Sequence, residues 1–195
     1  MAMGSVDYAL SDDLWRHLFQ HQPLTGQATR TIVRGDGCYL TDNQGNTFLD
    51  AVAGMWCVNV GYGRREMAEV AAQQMEQLSY LAPLMANQPA VDFAAAIQTE
   101  LDMPVQVYFS CSGSEANEAA FKIARQYHQQ SPERCDVHRT KVISRYRGYH
   151  GSTLGAMAAT GQAERKLGYG PDPSGFIKVM PPYPYRANPA LTPEQ

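Results

Sequence analysis

Apolar residues recur at helical spacing in three segments of the chain. The first segment has Met67, Val70, Ala71, Met75 and Leu78; the second has Ala90, Phe93, Ala94, Ile97 and Leu101; the third has Ala116, Ala119, Ala120, Ile123, Ala124 and Tyr127. A repeat every three or four positions is the period of one helix face, so each segment predicts an amphipathic helix. Pro89 suits the first turn of the second helix, because its ring fixes a helical φ. The third helix is expected to run from about Glu115 to His128.

Two further elements are predicted near the start of the chain. Ser11–Asp13 precedes the apolar residues of Leu14–Phe19, and small oxygen-bearing side chains cap helix N-termini, so a short helix is expected there. The β-prone segments Gly37–Thr41 and Thr47–Asp50 flank the polar turn Asp42–Asn46. Two such segments around a Gly/Asn-rich turn are typical of a hairpin.

The second half of the chain alternates strands and helices. Val105–Phe109 and Lys141–Ser144 are short β-prone segments on either side of the third helix. This alternation predicts right-handed crossovers and an α/β fold with a mostly parallel sheet. No capped element is expected from Pro171 onward, where prolines are frequent. A parallel sheet must be covered on both faces, and only two sheet strands are predicted here, so either the sheet is very small or the rest of the protein is missing from this chain.

Composition narrows the class of protein. The 195 residues are 44% hydrophobic and 18% charged, with a formal net charge of −3, which excludes an intrinsically disordered chain. The slight acidity argues against nucleic acid or an anionic membrane as the main partner. No apolar run is long enough to span a bilayer. The four cysteines form no CxxC metal pair and are expected to be reduced thiols, so no metal site and a cytoplasmic location are predicted.

The segment Cys111–Asn117, called the phosphate turn below, joins the predicted strand at Val105–Phe109 to the third helix. A helix N-terminus exposes unpaired N–H groups and a partial positive charge, and therefore attracts anions. Gly113 allows close backbone approach, and Ser112 and Ser114 offer hydroxyl donors. The alternative is an ordinary serine cap on the helix. The turn matches neither the P-loop nor the G-x-G-x-x-G pattern.

A second candidate, called the ring loop below, is Arg145–Thr153, directly after the Lys141–Ser144 strand. Loops at the carboxyl ends of parallel strands form the binding crevice of an open α/β sheet. Tyr149 or His150 would stack there on a planar heterocycle, and His150 is also a candidate acid/base group. The alternative is that Tyr149 packs in the core and His150 bonds a carbonyl.

Together these motifs resemble the class III pyridoxal-phosphate-dependent aminotransferases. The resemblance covers nearly the whole chain from about residue 12, and its motifs occur in the family's order. The class III likeness rests on Ser112–Ala116 and Gly148–Gly151, and Gly54–Arg64 is similar to the ω-amino acid:pyruvate branch. Within that branch the taurine:pyruvate group is the most similar, through Ser112–Phe121, Gly161–Arg165 and Tyr169–Pro171.

The resemblance implies a fold-type-I architecture with pyridoxal 5′-phosphate as cofactor. Residues 1–60 would start the small domain, and residues 61–195 would form the N-terminal part of the large cofactor domain. Gly113 and Ser114 would bind the phosphate, Tyr149 would stack on the pyridine ring, and His150 would support the ring loop. Trp56 would line the substrate pocket.

The resemblance also implies a homodimer with shared active sites, in which the loop Tyr80–Asn87 approaches the partner's cofactor. The family needs a lysine that forms a Schiff base and an aspartate at the pyridine nitrogen. The four lysines of the chain lack the family's lysine context: Lys122, Lys141, Lys166 and Lys178. We therefore expect no catalytic residue in this chain and place the Schiff-base lysine beyond residue 195.

The function that the resemblance implies is a ping-pong transfer of an amino group from a small ω-amino donor to pyruvate. Taurine and β-alanine are the expected kind of donor, and the chain would be the N-terminal part of the enzyme, inactive alone. Two alternatives stay open. One is a non-catalytic phosphate-ligand-binding fragment or pseudoenzyme, and the other is a class III transaminase for diamines, γ-aminobutyrate or aromatic amines.

Overall fold

The structure is a computed structural model that describes residues 31–130, 139–183 and 185. It divides into two compact units, one up to Phe93 and one from Ala94. The helix predicted at Leu14–Phe19 lies outside the described residues. This division between Phe93 and Ala94 is not the domain boundary expected at residue 60, which stays a prediction. None of the described helices is long and apolar enough to cross a membrane.

The first unit contains a three-stranded antiparallel sheet in the order β1-β2-β3. Its strands are β1 (Ile32–Asp36), β2 (Tyr39–Asp42) and β3 (Thr47–Leu49). The predicted hairpin is confirmed, since Leu40 on β2 pairs with Phe48 on β3. Strand β1 was not predicted, because Ile32–Asp36 has little apolar alternation and is extended through its pairing with β2.

The hairpin turn is stabilised by one buried carboxylate. Asp42 is 3% exposed, and its Oδ1 accepts the backbone N–H groups of Gln44 at 2.9 Å and Asn46 at 2.8 Å. An aspartate that bonds the backbone of its own turn is a local arrangement, which explains why the turn could be predicted from the sequence.

Three helical segments follow the sheet. They are the short turn α1 (Ala53–Trp56) and the helices α2 (Arg65–Gln77) and α3 (Gln88–Leu101). The two longer helices confirm the periodicity of the sequence. Helix α3 begins as expected around Pro89, and Asn87 caps it by accepting the Ala90 N–H at 2.9 Å.

The second unit is α/β. It comprises α4 (Gly113–Gln130), β4 (Val142–Arg145), α5 (Leu154–Ala159), a 3₁₀ turn (Ala163–Arg165) and β5 (Phe176–Val179). Strands β4 and β5 pair in parallel, so the expected α/β class is confirmed. The core lies at α5, which packs on α4, β4 and β5. The most deeply buried side chains there are small: Ala156, Ala158, Ala159 and Thr160.

Two expectations for this unit were wrong. Val105–Phe109 is not a strand, because among the described residues no neighbouring strand pairs with it, and an isolated strand leaves its N–H and C=O groups unpaired. Conversely, β5 lies within the proline-rich stretch that was expected to hold no element. Its four residues carry little periodic signal, and their extended conformation depends on pairing with β4.

Helix α4 exposes most of its predicted apolar stripe. Among the stripe residues only Ala119 is buried, whereas Ile123 and Tyr127 are each 54% exposed. The face directed into the unit instead carries Phe121, whose ring meets that of Phe176 edge-on at a centroid distance of 5.5 Å. The stripe predicted the helix correctly, but it did not predict the face that contacts α5 and β5.

Candidate functional site

A variant of the capping box starts helix α4, in which the glutamate accepts the N–H of the residue before the cap and not that of the cap itself. Ser112 Oγ accepts the Glu115 N–H at 3.2 Å, and Glu115 Oε2 accepts the Cys111 N–H at 2.8 Å. The serine cap that the sequence offered as an alternative therefore exists, and Ser112 forms it. Helical geometry provides no intrahelical acceptor for the N–H groups of Gly113 and Ser114, because both lie in the first turn. This end of α4 can therefore still bind an anion.

The hydroxyl of Ser114 is oriented by the ring loop. The Ser152 backbone N–H donates to Ser114 Oγ at 3.1 Å, so the serine accepts one bond and keeps its proton for another acceptor. A Cβ built on Gly113 would meet no atom within 4 Å, so the space over this backbone is open. Two N–H groups, one hydroxyl proton and open space fit a phosphate group well.

Gly151 brings the ring loop against the phosphate turn. Its φ is +134°, and a Cβ at this position would lie 2.9 Å from Ser114 Cα and 2.9 Å from Ala156 Cβ, and closer still to Ser114 Oγ. Only a residue without a side chain allows this approach. The two motifs, which are more than thirty residues apart in the sequence, therefore meet in the structure.

The backbone of His150 is bonded on both sides. Its N–H donates to Thr160 Oγ1 at 3.0 Å, and its carbonyl accepts the Asn117 side-chain amide at 2.6 Å. These bonds attach the ring loop to α4 and to the end of α5. His150 thus anchors the ring loop through its main chain, and its proposed supporting role in cofactor binding stays a prediction.

Tyr149 is next to this anchored residue, and its ring is not in the core. The residue is 48% exposed, and the Arg165 guanidinium lies 4.9 Å from the ring centroid. A cation over an aromatic ring is attracted by the ring quadrupole and restricts its motion. An exposed aromatic ring of this kind is suited to stack on a planar heterocycle, and its stacking on the cofactor stays a prediction.

Trp56 belongs to the first unit, at the end of the turn α1. The backbone there is left-handed, with φ of +57° at Met55 and +68° at Trp56. Such values cost free energy in non-glycine residues, and they persist only where the surroundings hold them. Trp56 is 75% exposed, so it is available for contact with a ligand.

Asp50 holds this strained turn. Its carboxylate accepts the N–H groups of Val52 at 3.0 Å and Gly54 at 2.7 Å, and the Tyr62 hydroxyl at 2.8 Å. The bond from Tyr62, followed by the two backbone bonds, lowers the pKa of Asp50. The ionised carboxylate therefore stabilises the conformation that presents Trp56.

Two of the four lysines are engaged elsewhere in the second unit. Lys166 forms an ion pair with Asp172, and the Lys178 ammonium donates to the Ala158 carbonyl. Burial, together with the nearby charge of Lys166, lowers the pKa of Lys178. The other two, Lys122 and Lys141, are exposed.

Four residues that contact the site were given no individual role from the sequence: Asn117, Glu118, Thr160 and Arg165. A signal did exist for the first two. Ser114, Asn117 and Glu118 follow the i, i+3, i+4 spacing, which places them on one helix face. Nothing local marks Thr160 or Arg165, because their contacts depend on how the chain returns to the ring loop.

Similarity to known proteins extends over most of the chain. Residues 22–192 match the family model of aminotransferase class III. An uncharacterized aminotransferase of Bacillus subtilis is 50% identical over 78% of this chain and 33% of its own length. The taurine–pyruvate aminotransferase of Bilophila wadsworthia is 42% identical over 85% of this chain and 35% of its own length. This chain therefore spans about a third of the length of the curated relatives that it matches.

A solved structure gives the same result for the fold. An amine transaminase from an uncultivated Pseudomonas species, in its PLP-bound form, superposes with a TM-score of 0.83 at 32% identity. The match covers 92% of this chain and 40% of that one. The predicted fold-type-I architecture is thus confirmed, as is its incompleteness in this chain. The chain belongs to the class III aminotransferases, a family of transaminases whose cofactor is pyridoxal phosphate.

Proposed function

We propose that this chain is the N-terminal part of an aminotransferase that moves an amino group from a small ω-amino donor, such as taurine or β-alanine, to pyruvate. The main support for the cofactor site is that the Ser152 N–H orients the Ser114 hydroxyl at the open N-terminus of α4. The donor class is supported by the 42% identity to a taurine–pyruvate aminotransferase.

In this proposal each described residue has a physical task. Gly113 and Ser114 bind the phosphate through backbone N–H groups and the serine hydroxyl, and Tyr149 stacks on the pyridine ring. When bound, pyridoxal phosphate supplies the electron-withdrawing ring that carries the amino group between the two substrates. His150 keeps Tyr149 in register with the phosphate turn. Trp56, held out by the left-handed turn, would line the donor pocket.

The loop Tyr80–Asn87 is relevant to the choice of amine donor and to the assembly of two subunits. Leu84 is 93% exposed and Met85 65% exposed, so the loop presents aliphatic surface next to the exposed ring of Tyr80. An aliphatic lining favours a small aliphatic donor over an aromatic amine. We propose that this loop reaches the cofactor of a partner subunit in a cytoplasmic homodimer.

Ser114→Ala in the full-length protein tests the phosphate assignment. The change removes a hydrogen bond to a charged group, which contributes about 1.5 to 3 kcal/mol, so the Kd for pyridoxal phosphate is expected to rise about tenfold to a hundredfold. Pyridoxal, which has no phosphate, is the matched control ligand, and its affinity is expected to change little. Equal losses for both ligands, or no loss for either, would show that Ser114 does not bind the phosphate.

A donor panel tests the substrate class. Alanine formation from pyruvate is measured with taurine, β-alanine, a diamine, γ-aminobutyrate and an aromatic amine. The proposal expects the highest kcat/KM with taurine or β-alanine, whereas a preference for the diamine, γ-aminobutyrate or the aromatic amine would assign a different branch of the family. No turnover with any donor, and no lysine-bound chromophore that borohydride removes, would favour the non-catalytic alternative.

A further inference from the structure

We propose that Glu118 is a positioning residue of this site: its carboxylate holds the start of α5 against α4 and thereby fixes the ring loop over the phosphate turn. The inference rests on the proposed cofactor site and adds a residue that does not itself touch the cofactor.

The carboxylate of Glu118 gathers three donors at one oxygen. Its Oε1 accepts the Thr153 hydroxyl at 2.7 Å, the Gly155 N–H at 2.8 Å and the Ala156 N–H at 3.1 Å. The two N–H groups belong to the first turn of α5, where the helix itself offers them no acceptor. A carboxylate that accepts such N–H groups forms strong, charge-assisted bonds and complements the helix dipole.

Glu118 is the last of three side chains on α4 that reach the same segment. Ser114 bonds Ser152, Asn117 bonds the His150 carbonyl, and Glu118 bonds the residues that follow. The segment from His150 to Ala156 is therefore attached to one helix face at three successive places. Of these three side chains, Glu118 is the charged one and the farthest in sequence from the phosphate turn.

Helix α5 transmits this attachment to Tyr149. Its residues Ala156 and Ala158 are 0% exposed, so the helix is fixed in the core. At its other end, the Thr160 hydroxyl accepts the His150 N–H at 3.0 Å. Helix α5 therefore begins directly after the ring loop and is bonded back to it at its other end, so a shift of its first turn displaces His150, the residue next to Tyr149.

Glu118 is ionised at neutral pH. The hydrogen bond from Thr153 is the largest of the influences that lower its pKa, followed by those from Ala156 and Gly155, and the Lys122 charge on the next helical turn acts in the same direction. Burial opposes them without reversing the shift. The three bonds are therefore made to a full negative charge.

Gly155 gives an independent way to disturb this contact. A Cβ on Gly155 would lie 2.8 Å from Glu118 Oε1 and closer still to Oε2. The change Gly155→Ala would therefore displace the carboxylate without altering any side chain of the ring loop. Once Glu118 is shortened to alanine, this obstacle is gone and the added methyl group has room.

The test is a double-mutant cycle in the full-length holoenzyme, with the Kd of pyridoxal phosphate and the induced circular dichroism of the bound cofactor as readouts. Glu118→Ala and Gly155→Ala are each expected to raise the Kd about tenfold and to reduce the dichroism per bound cofactor, since a misplaced ring platform no longer fits the ring. The combined variant is expected to be no worse than Glu118→Ala alone. Glu118→Gln, which keeps one acceptor oxygen, is expected to recover part of the signal.

Unchanged dichroism in Glu118→Ala, or additive losses in the combined variant, would overturn the proposal, even if the melting temperature fell. Should Glu118→Ala fail to fold, Thr153→Val and Thr153→Ser replace it: loss of dichroism in the valine variant alone supports the proposal, and equal signals refute it.

The variant Ser114→Ala distinguishes a failure of the proposed cofactor site from a failure of the positioning role of Glu118. If it leaves the Kd unchanged, the proposed cofactor site is wrong. If it weakens binding while Glu118→Ala does not, only the positioning role fails.

Discussion

Replacing Gly151 with alanine is the most direct test of how the two motifs meet. Gly151 is buried and has a φ of +134°, a conformation that side-chain-bearing residues rarely adopt. The new methyl group would lie 2.9 Å from Ser114 Cα and 2.9 Å from Ala156 Cβ. The Ser114 hydroxyl can rotate away from the methyl group, but the backbone of α4 and the buried α5 cannot move easily.

The expected magnitude has two parts. Forcing alanine into this backbone conformation costs about 1 to 3 kcal/mol. Overpacking the contact between Gly151 and the two helices adds about 1 to 3 kcal/mol. We therefore expect Gly151→Ala to lower the free energy of unfolding by about 2 to 6 kcal/mol, and to weaken cofactor binding because Ser114 is displaced.

The assay is urea unfolding of the apo protein, with Gly168→Ala as matched control. Gly168 also has a positive φ, +84°, but a Cβ there would meet nothing within 4 Å. This control is expected to lose only the backbone part, about 1 to 3 kcal/mol, and to keep its affinity for pyridoxal phosphate. Equal losses in the two variants, or a loss below about 1 kcal/mol at Gly151, would refute the close approach described for the ring loop.

Three further predictions concern single side chains. Tyr149→Ala is expected to weaken pyridoxal phosphate binding by about 1 kcal/mol or more through lost stacking, and an unchanged cofactor spectrum and turnover would contradict the assignment. Ser112→Ala removes the cap of α4 and is expected to destabilise the protein by about 1 kcal/mol, with faster amide exchange at Glu115; unchanged exchange there would argue against the capping box. Because the pKa of Glu118 is lowered from 4.5 on folding, its carboxylate contributes stability above that value, and the contribution is lost as pH falls through the folded pKa. Unfolding free energies measured from neutral to acidic pH should fall less steeply in Glu118→Gln than in the unchanged protein, and parallel curves would show that Glu118 is not the group involved.

Much of the local structure could be predicted from the sequence because its causes are local. The apolar repeat in Met67–Leu78 and in Ala90–Leu101 identified α2 and α3, since a helix is made by contacts within its own turns. The hairpin followed from a turn in which Asp42 bonds its own neighbours. The phosphate turn is likewise a property of one helix start, so the amino-acid pattern offers Gly113, Ser112 and Ser114 as candidate phosphate-binding residues, and the family resemblance selects Gly113 and Ser114 among them.

Elements that depend on distant partners could not be predicted in this way. Strands β1 and β5 are extended through pairing with β2 and β4, and their own residues carry little periodic signal. Val105–Phe109 has the composition of a strand, but no described strand pairs with it. The apolar repeat of α4 identified a helix but not the face that packs, because the packed face is determined by the distant residues that lie against the helix.

The candidate site shows the same distinction between local causes and causes that depend on distant residues. The sequence by itself determined the chemistry available, with backbone N–H groups and a hydroxyl at Ser114 and an aromatic ring at Tyr149. Only the tertiary structure decided that the ring loop and the phosphate turn meet, because their meeting depends on the absent side chain of Gly151 and on the bonds that Glu118 makes across to α5. Those contacts join residues more than thirty positions apart, and no local pattern encodes such a distance.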